Sequence, residues 1–182
     1  VTMNHRAGFI NGEGDGVGIH VDIPKALWKE KLQSAGVDPS HTDKASFAVG
    51  HVFISQKADW LSTKQELLQK LKNFDLDIIF ETNQVTDSSA LGPIAIQENP
   101  VFWQFACLSE KTGKELTKVL FEAIVDLETN EYVHVASLSQ NHAVYKVMGA
   151  GDILPRYYKD LASPIVASTI TLGHNRYSTN TL

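Results

Sequence analysis

The stretch from Lys114 to Met148 constrains the fold of this chain more than any other. Leu116, Val119, Leu120, Ala123, Ile124 and Leu127 recur at three- and four-residue spacing, which predicts a helix over about 114–128 with one apolar stripe facing a core. Two strand-like runs, 132–138 and 143–148, follow with only Ser139-Gln140-Asn141-His142 between them. Four residues are too few for the crossover that parallel neighbours need, so the spacing predicts an antiparallel β-hairpin. A helix leading into such a pair argues against a uniformly doubly wound fold and for a mixed α+β architecture with antiparallel pairing.

The remaining elements are read around that unit. Gly12-Glu13-Gly14-Asp15-Gly16 is too poor in side chains to pack and predicts a loop, followed by a strand over 17–23. Pro24 suits the first position of a helix running to about residue 35, where Gly36 closes it. The apolar, partly β-branched run 45–54 predicts a strand, and Leu61, Leu67, Leu68, Leu71 and Phe74 share a helical face. Another strand is expected over 76–82, a short helix over 153–161 and a last strand over 165–174. No repeat, linker or low-complexity segment interrupts the 182 residues, and a 43% hydrophobic content suits one domain over 1–182.

A formal charge of −5 lacks the basic excess that a phosphate backbone demands, which argues against nucleic acid as a partner. No apolar stretch approaches the roughly 18–20 residues of a membrane span, and the first residues lack the apolar core of a signal peptide. The chain therefore reads as cytoplasmic, with no membrane partner. The single cysteine, Cys107, fits a reducing compartment, and its setting in Phe105-Ala106-Cys107-Leu108 reads as packing and not as a nucleophile.

Candidate chemistry narrows quickly. The Gly-rich run has no Walker lysine, precedes a strand where a phosphate cradle would follow one, and carries Glu13 and Asp15, which repel anions. Seven histidines, at 5, 20, 41, 51, 134, 142 and 174, join no Cys, Asp or Glu at zinc-site spacing, so no metal is expected. Ser178 lies outside any Gly-x-Ser-x-Gly elbow. More informative is Gly173-His174-Asn175-Arg176-Tyr177-Ser178-Thr179-Asn180, where an apolar strand ends in a guanidinium, hydroxyls and amides. Such donors suit a small anionic or amino-acid ligand; equally, Arg176 can pair with a surface carboxylate while Ser178 and Thr179 form a turn.

At these residues the chain resembles a known family. His5-Arg6, then Gly14-Asp15-Gly16-Val17-Gly18-Ile19, and finally Arg176-Tyr177-Ser178-Thr179-Asn180-Thr181 follow the motif order of the class II glutamine amidotransferase domain of glutamate synthases. Ser137-Leu138-Ser139, Val144-Tyr145-Lys146-Val147-Met148 and Tyr157-Tyr158-Lys159-Asp160-Leu161-Ala162-Ser163-Pro164 resemble intervening family segments. The resemblance implies the N-terminal-nucleophile hydrolase fold, a four-layer αββα sandwich with antiparallel sheets, here incomplete. It also implies release of ammonia from L-glutamine for transfer to 2-oxoglutarate.

Carried over by position, Arg176 pairs with the α-carboxylate of glutamine and Thr179 hydrogen-bonds the same substrate. Tyr177 and Asn180 line the pocket, and Arg6 supports the N-terminal region. The family's nucleophile is an N-terminal Cys; Val1 offers none, and Ala7 stands where the family has Gly. The resemblance thus leads one to expect a Cys-bearing strand ahead of Val1, an oxyanion-hole segment beyond Leu182, and no activity from 1–182 alone. A non-catalytic glutamine-binding or interaction module on the same fold is the alternative. No cofactor is expected in this chain; FMN and an iron–sulfur cluster are expected in a separate synthase domain or subunit.

Overall fold

The computed structural model describes residues 9–10, 13–14 and 16–174. A two-residue pair, β1 (Phe9–Ile10) and β2 (Glu13–Gly14), opens the described chain as an antiparallel ribbon, so part of the Gly-rich run is strand and not loop. β3 (Val17–Asp22) follows directly, then α1 (Lys25–Ser34), with Pro24 as its N-cap and Gly36 turning the chain at φ +74°. That conformation is open to glycine at little steric cost, which is how the helix ends where the sequence places its end.

Next come β4 (Ala48–Ile54), α2 (Trp60–Asn73), β5 (Asp77–Thr82), the short α3 (Pro93–Gln97) and β6 (Val101–Leu108). The chain continues through α4 (Gly113–Leu127), β7 (Val133–Ser139) and β8 (His142–Val147), and then two single-turn helices, α5 (Leu154–Tyr157) and α6 (Lys159–Ala162). The one short helix expected over 153–161 is thus two, broken at Tyr158, whose backbone is extended (φ −96°, ψ 109°). The last described strand, β9, is Thr171–His174, shorter than expected at its start.

Two sheets result, ordered β5-β6-β4-β7 and β8-β3-β9, and every pairing in them is antiparallel. β7 and β8 are not the hairpin that their spacing suggests. β7 pairs with β4 and β8 with β3, so the chain crosses from one sheet to the other through Gln140 and Asn141. Ser139 Oγ makes the corner by accepting the Asn141 and His142 backbone N–H groups. The Val144 N–H donates to Ser137 Oγ, a side-chain bond where a hairpin would have a ladder bond.

Strand alternation builds the layers. Ala48, Val52 and Ile54 of β4, with Trp103, Phe105 and Cys107 of β6, face α2 and α4. From those helices come Leu67 and Leu71, and Leu116, Leu120, Ala123 and Leu127, the stripe expected for α4. Each buried Val, Leu, Ile or Phe among them contributes roughly 1.5–3 kcal/mol against exposure. The opposite face of the four-stranded sheet meets the three-stranded sheet, where Val17, Val21, Ala143 and Tyr145 pack with Phe102, Tyr157 and Tyr158. α1 closes the end of this interface with Trp28 and Leu32 against Phe47, Val49 and Ala106. Among the described residues, one helical layer and two stacked antiparallel sheets make an α+β sandwich.

Candidate functional site

A cavity of about 930 Å³ opens beside β3, β8 and β9, with residues 91–100 forming its far wall. Val17, Ile19, Phe53, Leu91, Val147 and Tyr157 give it an apolar lining, and His20, Glu98, His134, Lys146 and His174 add polar groups. Tyr157 donates its hydroxyl proton to Asn99 Oδ1 at 2.7 Å, bracing that wall. Lys146 Nζ donates to His134 Nε2 at 3.2 Å, which leaves the His134 proton on Nδ1, donated to Glu128 at 2.9 Å.

Two carboxylates tie the cavity's margins to its strands. Glu13 accepts the N–H groups of Ile94 and Ala95 at 2.9 and 3.3 Å, so the free amides that open α3 are taken by a side chain of β2. The fit needs small neighbours. A Cβ on Gly92 would lie 2.3 Å from the Glu13 carboxyl carbon, and one on Gly14 would lie 2.5 Å from the Gly149–Ala150 peptide. Asp22, at the end of β3, accepts from the backbone N–H of Thr169 at 2.8 Å, from the Thr169 hydroxyl and from the N–H of Ile170 at 3.3 Å. The Thr169 hydroxyl is the main reason that its carboxyl lies below the ordinary range, followed by the Thr169 amide.

Between the sheets sits a buried polar cluster. Lys31 Nζ lies 2.7 Å from Asp160 Oδ1 and also donates to Gln104 Oε1. The Gln104 amide donates to Asp160 Oδ2 at 2.8 Å and to His51 Nε2 at 2.9 Å, and Tyr145 donates its hydroxyl proton to Asp160 at 3.1 Å. Since the Val144 carbonyl can only accept, the His51 proton resides on Nδ1, 2.9 Å from that oxygen. Burial pushes His51 down to about 4, so the ring is neutral near pH 7. These contacts join α1, β4, β6, β8 and α6.

A sequence description of the class II glutamine amidotransferases matches residues 1–182. The chain belongs to that family. It is 28% identical to a glutamate synthase [NADH] of Saccharomyces cerevisiae over all of its length and 9% of the relative's. It is 29% identical to a ferredoxin-dependent glutamate synthase of Antithamnion sp., over 99% of its own length and 12% of the other's. Ferredoxin-dependent glutamate synthase 2 of Synechocystis sp. is 28% identical over the same shares. The chain therefore spans about a tenth of the length of these relatives.

Arg6, Arg176, Tyr177, Thr179 and Asn180 lie outside the described residues. The described structure places what flanks two of the motifs. β9 ends at His174, paired opposite Gly18, two residues ahead of Arg176. β1 begins at Phe9, three residues past Arg6. Cys107 lies fully buried in β6, its thiol pushed up to about 12 by burial, with the nearby Asp77 charge adding to the shift. This is the packing role expected of it.

Sequence reasoning missed Glu13 and Asp22 as tethers and the cluster around Gln104. The available signal for the cluster was a polar residue inside an apolar run: His51 in Ala48–Ile54 and Gln104 in Val101–Leu108. Among the described residues, no three His, Cys, Asp or Glu side chains group as metal ligands, and no helix is long and apolar enough to cross a membrane.

Proposed function

We propose that this chain is the substrate-binding part of a glutaminase unit, hydrolysing the side-chain amide of L-glutamine to glutamate and ammonia within a glutamate synthase-like enzyme. The family match over residues 1–182 carries this reading. It is supported by relatives named as glutamate synthases. Arg176 forms a bidentate pair with the substrate α-carboxylate, a task suited to a planar guanidinium, and Thr179 adds a hydrogen bond. Tyr177 and Asn180 line the pocket, and Arg6 supports the region that holds the nucleophile.

The nucleophile is not Cys107. A thiol with a pKa of about 12, sealed inside a strand, holds too little thiolate to attack an amide. Residues 1–182 alone are therefore expected to release no ammonia from glutamine. The ammonia passes to a cytoplasmic synthase domain or subunit, where 2-oxoglutarate accepts it. Flavin and iron–sulfur chemistry belong there, since the chain's single cysteine cannot ligate a cluster.

Glutamine-dependent ammonia release by the native-length protein tests this reading, with Arg176→Ala and Cys107→Ala alongside. Arg176→Ala should raise the glutamine KM by roughly tenfold to a hundredfold, the worth of one or two charge-assisted hydrogen bonds. Cys107→Ala should keep its turnover. A folded native-length protein that binds glutamine without releasing ammonia would move the reading to a non-catalytic binding module.

A further inference from the structure

The segment that leads into the Arg176 motif is held in an unusual way. All four residues of β9 are exposed, as are Thr169 and Ile170, with Ile170 at 62% and Leu172 at 64%. Among the described residues, none buries a side chain of β9. Among the described residues it is held by the short ladder from Val21↔Thr171 to Gly18↔His174 and by the Asp22 side chain.

Asp22 supplies the anchor just where that ladder starts. Its Oδ2 accepts from both groups of Thr169 and from the Ile170 N–H, while its own backbone N–H donates to Ser168 Oγ at 3.0 Å. A carboxylate acceptor makes these bonds about twice as strong as neutral ones. On its other side Asp22 pairs in register with His142 of β8, so the anchor is fixed to the sheet and not to a loop. Thr169 turns at Asp22, β9 runs back along β3, and the chain reaches His174 beside Gly18 at the cavity.

We infer that Asp22 is a positioning residue for glutamine recognition, fixing the start of β9, the strand that precedes Arg176 and Thr179 in the sequence. This rests on the proposed role of Arg176. Asp22 touches no substrate; it acts by fixing the start of β9.

The test compares Asp22→Ala, Asp22→Asn and Arg176→Ala in the native-length protein, reading ammonia-release kinetics and amide hydrogen exchange over 169–173. Asp22→Ala should speed exchange there and raise the glutamine KM about tenfold with kcat little changed, as expected when binding alone is weakened. Asp22→Asn keeps a neutral acceptor and should fall between wild type and Asp22→Ala. Faster exchange with an unchanged KM, while Arg176→Ala raises KM, would overturn the positioning role and leave the amidotransferase reading intact. An unchanged KM in Arg176→Ala would instead remove the recognition role on which the inference rests. If the protein releases no ammonia, unchanged exchange in Asp22→Ala would still overturn the anchor itself.

Discussion

His51 shows how a residue's partners decide its chemistry. Protonating its Nε2 would place an N–H against the Gln104 amide, which cannot reverse because its Oε1 is taken by Lys31. Burial keeps the folded-state pKa near 4, below the ordinary 6.5, and the nearby Lys31 charge adds to the shift. Between those values the unfolded chain binds a proton that the native chain refuses, so stability is complete above about pH 6.5 and declines as pH falls toward 4. The full linkage is roughly 3 kcal/mol. Urea unfolding at pH 7 and pH 5 should show a drop of about 2 kcal/mol that largely disappears in His51→Asn, whose amide can still donate to Val144. Equal drops in both proteins would mean that other groups carry the pH dependence. At this scale the sequence was legible where motifs repeat a family's order, as at 14–19 and 176–181. It was opaque where function depends on who faces whom: nothing in the spelling of Glu13 or Asp22 announces the amides of Ala95 or Thr169.

A strand's identity rests on what its neighbour leaves room for, and Gly50 of β4 pairs directly with Phe105 of β6. The Phe105 ring lies over the glycine so closely that an added Cβ would sit 2.1 Å from its tip, and the ring itself is fully buried against Trp103. Gly50→Ala should therefore cost about 1–3 kcal/mol, the usual penalty of overpacking. Gly50→Ala with Phe105→Leu should cost less than the sum of the two single changes, measured as urea midpoints in a double-mutant cycle. Additive losses would show that the pair is not sterically coupled. α4 was legible as an element because its stripe repeats at helical spacing. β6 was not, because Val-Phe-Trp-Gln-Phe-Ala-Cys-Leu is buried on both faces and such a run has no period of two to read. The β7–β8 corner was misread for a related reason. A short polar connection permits a hairpin but does not require one, and the pairing is decided by β3 and β4, each remote in sequence.

Across the whole molecule, the two sheets and α1 meet at the Lys31–Asp160 pair, whose side chains are 13% and 4% exposed. Antiparallel pairing could be anticipated from the sequence, but this junction could not, since its members are spread from residue 31 to residue 160 on separate elements. Burial lowers the Lys31 pKa from its ordinary value, and the attraction of Asp160 opposes that shift without cancelling it. For Lys31 desolvation outweighs pairing, and a buried salt bridge is in general weak evidence of added stability. What it does is forbid arrangements that separate its members. Removing only the cation leaves a buried carboxylate with the Tyr145 and Gln104 donors but no countercharge, so Lys31→Met should cost about 3–5 kcal/mol. Adding Asp160→Asn removes the stranded charge while keeping an acceptor for those two donors. The double variant should then recover most of the loss in urea unfolding at pH 7. A double variant as unstable as Lys31→Met would show that the lysine acts through its contact with Trp28, whose ring centre lies 5.1 Å from Nζ, and not through its pairing with Asp160.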